Sequence, residues 1–246
     1  MSRKRKTILA LALLAAGLGW AVADEESKWR QQRERLVRET IAQPRDYRPA
    51  VRDRRVLDAM RQVPRHEFVP EGYRRQAYED HPVPIGYGQT ISQPYIVALM
   101  TELLKPNPDD RVLELGTGSG YQAAVLSPLV KEVYTIEIIQ PLGLAARERL
   151  ARLGYTNVEV KVGDGYYGWP QKAPFDAIIV TAWSTHVPPP LLEQLKPGGR
   201  MVIPVGSALY QQNLVVVHKG ESATDLRMES VMPVAFVPLT GGHSAR

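Results

Sequence analysis

Short apolar runs alternate with longer segments of helical period over the second half of this chain. The runs are rich in valine, leucine and isoleucine, and they predict strands at residues 111–115, 133–137, 158–162, 175–181, 200–205, 214–218 and 231–237. Between them, helical spacing predicts helices at residues 122–129, 142–153 and 190–195. Alternation of this kind indicates an α/β fold with a doubly wound, mainly parallel sheet and helices on both faces.

The first half of the chain follows a different pattern. Residues 25–40 are charged and predict a helix lying on the surface, and residues 52–63 predict a helix that packs one apolar face on the domain. Residues 78–93 are rich in glycine and proline, which argues against a regular element. Long loops of this kind in compact domains tend to be functional. A helix predicted at residues 96–104 then leads to the first strand of the alternating region.

Three glycines at alternate positions follow that first strand. Gly116, Gly118 and Gly120 form a G-x-G-x-G turn with Thr117 and Ser119 between them. Glycine lets the backbone turn sharply and lets a ligand approach where a Cβ would clash. The spacing differs from the G-x-G-x-x-G of dinucleotide binders and is the form expected of methyltransferases that use S-adenosylmethionine (AdoMet). A purely structural turn is the alternative at this point.

Two acidic residues at later strand ends favour the cofactor interpretation. Glu137 ends the second strand about 20 residues after the glycines, where an acid in a doubly wound sheet accepts hydrogen bonds from ribose hydroxyls. Asp164, followed by Gly165, comes after the third strand and is placed to meet an adenine amino group. Each acid alone suits a solvated loop. Their order at successive strand ends predicts a cofactor site that also includes Gly165.

Charge is concentrated at the N-terminus. The formal net charge is +5, but Arg3, Lys4, Arg5 and Lys6 are four of the 31 basic residues and precede every acid, so residues 24–246 carry 27 basic and 26 acidic groups. A nearly neutral body argues against a nucleic-acid partner. The chain has no cysteine, which excludes a disulfide framework and a Cys-ligated metal site. No arrangement of residues suggests a metal site.

The basic cluster begins a pattern typical of a secretory signal. Residues 8–22 are apolar, and Ala21-Val22-Ala23 precedes the first acids, giving a charged region, an apolar region and an A-x-A cleavage site. The apolar run of about 15 residues is short for a bilayer span of roughly 20. We therefore expect export, to the periplasm, by a cleavable signal peptide over residues 1–23. An uncleaved membrane anchor at residues 8–22 and a cytoplasmic protein are the alternatives.

Residues 84–94, Pro-Ile-Gly-Tyr-Gly-Gln-Thr-Ile-Ser-Gln-Pro, look like the signature of the protein-L-isoaspartate O-methyltransferases. The glycine turn and the acids are generic to many methyltransferases, whereas Thr-Ile-Ser-Gln-Pro at 90–94 is specific to this family. The resemblance covers about residues 50–240. Other matching segments are 63–70, 163–170, 173–182 and 236–239.

The residue patterns and the resemblance together divide the chain into four segments. These are the signal peptide (1–23), a charged N-terminal extension (24–50), N-terminal helices with the substrate-site loop (51–105), and a Rossmann-like AdoMet-binding core (106–246). Typical members begin near the equivalent of the helix at 52–63, so residues 1–40 are interpreted as additions. The segment Trp-Ser-Thr-His at 183–186 also departs from the family pattern, in which smaller residues are usual at this place. The departure bears on the shape of the local pocket and not on the chemistry.

The resemblance also implies the chemistry. The methyl group of AdoMet passes to the free α-carboxylate of an L-isoaspartyl residue in a damaged protein, and the ester closes to a succinimide whose hydrolysis returns some normal aspartate. A carboxylate is already a competent nucleophile at neutral pH. No general base is then needed, and catalysis depends on in-line positioning and removal of water.

Individual site residues follow from the same resemblance. Ser92 matches the serine that lies beside the methyl group and orients the substrate carboxylate, and Thr90 and Ile91 belong to the same substrate loop. Gln212 matches a family glutamine near the cofactor. For Ser92, the alternative is a turn serine that caps the helix predicted at residues 96–104.

Two other functions compete with isoaspartyl methylation. One is an AdoMet methyltransferase acting on RNA, DNA, another carboxylate or a small molecule, although the chain has neither an Asn-Pro-Pro-Tyr motif nor a cysteine for pyrimidine methylation. The other is a non-catalytic exported binding module, suggested because AdoMet is made in the cytosol. Intact Glu137, Asp164 and Ser92 favour an active enzyme, which we expect to be a monomer without stable membrane association once the signal is cleaved.

Overall fold

The computed structural model describes residues 24–209, 211–222 and 225–242. The expected signal peptide at residues 1–23 lies outside the described residues. Among those that are described, no helix is long and apolar enough to span a membrane.

Among the described residues, the N-terminal part of the chain contains three α-helices, two short 3₁₀ helices and a hairpin. Helix α1 covers residues 24–36 and continues as one π-helical turn, Val37–Ile41. Helix α2 (Arg54–Gln62) begins at Asp53, whose side chain accepts from the Arg55 N–H. The remaining elements are the 3₁₀ helices Arg65–Phe68 and Glu71–Gln76, the antiparallel strands β1 (Val83–Gly86) and β2 (Gln89–Ile91), and helix α3 (Pro94–Leu104).

A seven-stranded sheet forms the centre of the remaining chain, in the order β5-β4-β3-β6-β7-β8-β9. Strands β3 to β7 run parallel, while β8 is antiparallel to both β7 and β9. In chain order the elements are β3 (Arg111–Leu115), α4 (Tyr121–Leu126), β4 (Glu132–Glu137), α5 (Gln140–Arg152), β5 (Val158–Val162), β6 (Phe175–Val180), α6 (Pro189–Gln194), β7 (Leu195–Val205), β8 (Gln212–Lys219) and β9 (Leu226–Val234). The expected α/β, doubly wound, mainly parallel sheet with an N-terminal helical part is confirmed.

Helices cover both faces of this sheet. On one face, Val112 of β3 and Val202 of β7 belong to a core shared with α2, α3 and α4. On the other face, Leu113 and Met201 pack with Leu191 of α6. Because successive side chains of a strand point to opposite faces, a strand covered on both sides is apolar along its whole length. This explains why these strands are continuous apolar runs in the sequence.

Two predictions for the N-terminal half are wrong. Helix α1 does not simply lie on the surface, because Val37 and Ile41 at its end are fully buried in the main core. The segment predicted to lack regular structure contains the β1–β2 hairpin. Its strands are only four and three residues long, too short for alternation of apolar and polar residues to reveal them.

Helix α3 begins two residues before its predicted start, with Pro94 in its first turn, where the missing N–H of proline costs nothing. The side chain of Asp80 takes the place of a local cap: its Oδ1 accepts from the Tyr95 N–H at 3.0 Å, and its Oδ2 accepts from the Gln93 amide at 2.8 Å. The start of α3 is thus fixed by a residue distant in sequence.

Candidate active site

The carboxyl ends of β3, β4 and β6 meet at one edge of the sheet. The chain moves outward from β3 through β4 to β5 and then returns to place β6 on the other side of β3. Ligands of open α/β sheets bind at such a reversal of strand order. A cavity lies there, with walls from the glycine turn, the end of β4, the β1–β2 hairpin and residues 237–240.

The glycine turn fits the close packing beneath this cavity. Gly116 and Gly120 have φ angles of +93° and +88°, which side chains rarely adopt. A Cβ on Gly116 would lie 2.4 Å from the Thr181 hydroxyl oxygen, and one on Gly120 would lie 3.1 Å from Leu150 Cδ1. Gly116, Thr117, Gly118 and Ser119 line the cavity, whereas Gly120 packs behind it against α5.

Glu137 is held rigidly at the end of β4. Its Oε2 accepts from the Gly118 N–H at 2.7 Å and its Oε1 accepts from the Ile139 N–H at 2.9 Å. The residue is only 5% exposed and lines the cavity. Each carboxylate oxygen can accept a second hydrogen bond. Glu137 is therefore oriented to accept from a pair of ligand hydroxyls.

Asp164 lies beside the cavity. Its side chain caps the 3₁₀ turn Gly165–Tyr167 by accepting from the Tyr166 N–H at 3.0 Å, and it also accepts from the Gly242 N–H at 3.1 Å. Gly165 lines the cavity, whereas Asp164 stands behind it. Asp164 therefore adjoins a residue of the cavity wall, with part of its hydrogen-bonding capacity used by the backbone.

Gln212 lies outside the cavity wall. Its Oε1 accepts from the Phe236 N–H at 2.7 Å, which fastens the start of β8 to the segment that follows β9. That segment continues into Val237, which does line the cavity. The structure therefore gives Gln212 an indirect role, through the chain segment that it holds.

Ser92 stands where this cavity meets a wider groove. Thr90, Ser92, Thr181 and Val237 line both spaces, and Ile91 lines the cavity. The Ser92 hydroxyl makes no hydrogen bond to another described residue, and Asp80, not Ser92, caps helix α3. The hydroxyl is therefore available to a ligand at the junction.

Two parts of the site were missed by sequence reasoning. Thr181, just after β6, shares its one hydroxyl hydrogen between the carbonyls of Leu115 and Gly116, whose oxygens lie 2.9 and 2.8 Å from Oγ1. Residues 237–240 form a wall that backbone bonds to Trp183 hold in place: its N–H donates to the Val237 carbonyl, and its carbonyl accepts from the Leu239 N–H. The match at residues 236–239 was the one available signal for this wall.

Three of the histidines have partners within the protein. His66 Nδ1 lies 2.7 Å from the Tyr78 hydroxyl, and its ring stacks on Trp29 at 5.0 Å. His81 bonds to Glu79, and His186 bonds to a tyrosine on the neighbouring loop. In the part of the chain that is described, His, Cys, Asp and Glu side chains do not gather in threes or more as a potential metal site.

Glu114 is a fully buried carboxyl in the middle of β3. Burial raises the pKa of Glu114 from 4.5 to about 8, because the charged form loses its hydration, and the Thr135 hydroxyl only partly offsets this effect. Nearby, the Thr117 and Thr135 hydroxyls lie 2.6 Å apart. A polar layer with a protonated carboxyl at neutral pH therefore lies directly beneath the glycine turn.

The sequence profile of the protein-L-isoaspartate(D-aspartate) O-methyltransferases matches residues 34–244 of this chain. The chain belongs to this family. The match begins at residue 34, inside the charged segment 25–40 that the sequence suggested to be an addition. Family membership therefore extends into helix α1, whose end packs in the core.

Individual relatives agree with the profile. A protein-L-isoaspartate O-methyltransferase 2 of Syntrophobacter fumaroxidans is 54% identical over 248 residues, covering 99% of this chain and all of the relative. One from Polaromonas is 59% identical over 206 residues, covering 84% of this chain and 96% of the relative.

Solved structures show the same likeness. A protein-L-isoaspartate O-methyltransferase structure is 33% identical, with a TM-score of 0.69 over 78% of this chain and 62% of its own length. A Plasmodium falciparum structure described as a beta-aspartate methyltransferase, in complex with S-adenosyl-L-homocysteine, is 25% identical, with a TM-score of 0.70 over 86% of this chain and 97% of its own.

Proposed function

We propose that this protein is an AdoMet-dependent methyltransferase that esterifies the free α-carboxylate of L-isoaspartyl residues in damaged proteins. The observation that carries the proposal is the position of Ser92, which lines both the cavity at the strand ends and the neighbouring groove. Methyl transfer needs two ligands that meet end to end, one in each space. Relatives named for this activity, at 54% and 59% identity, support it.

The cavity suits AdoMet better than a dinucleotide. Glu137 is the one charged residue among the described residues that line it. A site with one acid and no base favours a cationic ligand with hydroxyl groups and disfavours a pyrophosphate. Apolar side chains of Ile138, Ile139 and Leu239 also line the cavity and offer a surface for a flat ring.

The protein's own contribution is positioning. AdoMet, when bound, supplies an activated methyl group on a sulfonium that is a good leaving group. Glu137 would orient the ribose, and the turn at 116–119 would let the cofactor approach the backbone. Ser92 would donate a hydrogen bond to the substrate carboxylate, which is ionised at neutral pH and needs no general base. Residues 237–240 would exclude water from the reacting pair.

The groove beside Ser92 favours a polypeptide substrate over a small molecule. It is open to solvent, and β9 and the residues after it form a continuous wall from Met232 to Val237. An extended chain carrying an isoaspartyl residue can lie along such a wall, with its free carboxylate directed at Ser92. The described residues of one chain line both spaces, so the proposed site needs no residue from a second copy.

Compartment and partners form a further part of the proposal. The basic cluster at 3–6, the apolar run at 8–22 and Ala21-Val22-Ala23 support export to the periplasm with cleavage of residues 1–23. The mature protein would then repair exported proteins without stable attachment to the membrane. Its 27 basic and 26 acidic residues support the absence of a nucleic-acid partner.

Methyl transfer to matched peptides tests the function. The protein lacking residues 1–23 is incubated with methyl-tritiated AdoMet and either an isoaspartyl peptide or its aspartyl twin. We expect base-labile methyl ester on the isoaspartyl peptide alone, because only that residue presents a free α-carboxylate on a side branch. Equal labelling of both peptides, or labelling of neither, would contradict the assignment.

A further inference from the structure

The substrate groove continues beyond Ser92 along the N-terminal segment. A second space, between helix α1 and the turn that follows it, shares four lining residues with the groove: Thr40, Asp46, Arg48 and Asp80. The two spaces therefore adjoin, and together they are called here the extended groove. Its inner end is at Ser92, and its outer end is lined by Arg35, Glu39 and Arg45.

Most charges in the extended groove are already paired. Arg48 bonds to Asp46 at 2.7 Å and to Asp80 at 2.8 Å, and its guanidinium lies 4.3 Å from the centre of the Tyr95 ring. At the outer end, Arg35 bonds to Glu39 at 3.0 Å. These pairs build the walls and leave little free charge to attract a ligand.

Arg45 differs from these residues. Its side chain is exposed, lines the outer end of the extended groove, and makes neither an ion pair nor a hydrogen bond to another residue in the described ranges. The nearest acid in sequence, Asp46, is engaged by Arg48. Arg45 therefore presents an uncompensated positive charge on the wall of the extended groove.

We propose that Arg45 forms a distal subsite that binds an acidic side chain of the substrate polypeptide, several residues from the isoaspartyl residue. The inference rests on the proposed function, since it assumes that the isoaspartyl carboxylate lies at Ser92. Helix α1 and the turn after it are then part of the substrate site. Damaged segments with a suitably spaced aspartate or glutamate are the preferred substrates.

The geometry of an extended chain makes the subsite selective for position. An extended peptide advances about 3.3 Å per residue and alternates its side chains between two sides, so a carboxylate reaches Arg45 from only one or two positions. An exposed ion pair contributes about 0.2–1 kcal/mol, which corresponds to a KM lower by a factor of about 1.4 to 5. The turnover number stays constant because Arg45 is remote from the reacting atoms.

A charge-swap experiment tests the subsite. A neutral isoaspartyl peptide of about twelve residues serves as the parent, and Glu, Gln or Lys is placed at each position on either side of the isoaspartate. The protein lacking residues 1–23 is compared with Arg45→Glu and with Arg30→Glu. Arg30 is a matched control, since it is exposed on helix α1, lacks an ion pair among the described residues and does not line the groove.

We expect Glu at one or two positions to lower KM by a factor of about 1.4 to 5 relative to Gln, with unchanged kcat. In Arg45→Glu the preference should reverse, so that Lys at the same positions lowers KM, while Arg30→Glu should keep the original pattern. Added salt should weaken both preferences, since exposed charges are screened.

Three results would overturn the proposal. A decrease in KM caused by Glu that is equal at all positions would indicate only the general electrostatic field of the protein. The same conclusion would follow if Arg30→Glu removed the decrease as completely as Arg45→Glu does. No benefit at any position, with the parent peptide methylated, would remove the subsite and leave the proposed function intact. Failure to methylate the parent peptide would contradict the proposed function, and the subsite with it.

Discussion

At the scale of single residues, two oxygen-bearing side chains of the site differ in how firmly hydrogen bonds fix their orientation. Both carboxylate oxygens of Glu137 accept backbone N–H groups, at 2.7 and 2.9 Å, so its orientation is set before a ligand arrives. The Ser92 hydroxyl has no partner among the described residues and can turn toward a ligand. Glu137 is therefore suited to binding, and Ser92 to orienting a reacting group.

Replacing Ser92 with alanine should separate catalysis from stability. We expect kcat/KM for an isoaspartyl peptide to fall about five- to thirtyfold, because one hydrogen bond to the carboxylate contributes about 1–2 kcal/mol in the transition state. AdoMet affinity and melting temperature should hardly change, since Asp80 caps helix α3. Steady-state kinetics, calorimetry and thermal melting on the same preparation measure all three quantities.

Replacing Glu137 with alanine should weaken AdoMet binding, which Ser92→Ala should leave unchanged. It removes the acceptors proposed for the ribose, so AdoMet affinity should fall about tenfold or more, at roughly 1.5–3 kcal/mol for each charge-assisted bond. Unchanged affinity would place the ribose elsewhere. For Ser92→Ala, a lower melting temperature with unchanged kcat/KM would show that Ser92 has a structural role only.

The buried Glu114 predicts a pH-dependent stability. Its pKa is about 8 in the folded protein, against an ordinary value of 4.5, so between these values the folded state holds a proton that the unfolded state has released. Stability should therefore fall as pH rises through this window, by up to about 1.4 kcal/mol per pH unit, and level off above pH 8.

Urea unfolding at pH 5, 6.5 and 8 measures this effect. Glu114→Gln should flatten the decline, because an amide does not titrate. Glu132→Gln is the control: a hydrogen bond from Arg111 lowers the pKa of Glu132, so its contribution is lost only below about pH 4.5 and should be constant over this range. Parallel curves for wild type and Glu114→Gln would show that Glu114 does not titrate there.

At the scale of elements, the β1–β2 hairpin brings the substrate loop over the cavity. Its turn contains Gly86, Tyr87 and Gly88, all with positive φ angles, and the loop after it carries Ser92 to the start of α3. Asp80 ties this arrangement together by bonding to Arg48, to Gln93 and to the backbone of α3.

Asp80→Asn should loosen the junction of these elements. The change keeps the side-chain shape but removes the charge from three hydrogen bonds, so we expect a loss of about 1–3 kcal/mol of stability and a higher KM for peptide. AdoMet affinity should change much less, because Asp80 does not line the cavity. Denaturant unfolding and peptide kinetics provide the measurements.

Asp58→Asn is a matched control for Asp80→Asn. Asp58 forms an exposed ion pair with Arg61 on helix α2, at 2.9 Å, and should contribute less than about 1 kcal/mol. Equal effects of the two substitutions on stability and peptide KM would show that Asp80 is an ordinary surface acid.

At the scale of the whole molecule, the proposed export determines where the folded enzyme begins. The described part of helix α1 runs from residue 24, and its end packs in the core. We expect protein recovered from the cell envelope to begin at Asp24, because Ala21 and Ala23 provide the small side chains that a cleavage site needs. N-terminal sequencing measures this directly. An intact Met1 in the membrane fraction would favour the anchor, and one in the cytosol would contradict export.

The sequence by itself determined the sheet, the glycine turn and the position of Glu137. These features are local: an apolar run as long as a strand, glycines at alternate positions and an acid at a strand end all depend on neighbours in the chain. The family resemblance singled out Ser92 and the loop around it. The structure brings Glu137, the glycine turn and Ser92 to one edge of the sheet.

Only the tertiary structure decided which residues complete the site. Asp80 caps α3 from fourteen residues before its first residue, Thr181 locks the glycine turn from another strand, and residues 237–240 close the cavity from the far end of the chain. The hairpin strands β1 and β2 were too short for an alternation of apolar and polar residues to predict them. Gln212, which the resemblance placed near the cofactor, bonds to Phe236 outside the cavity wall. These contacts join residues far apart in sequence, so no local pattern records them; they exist only once the sheet has brought its strand ends together.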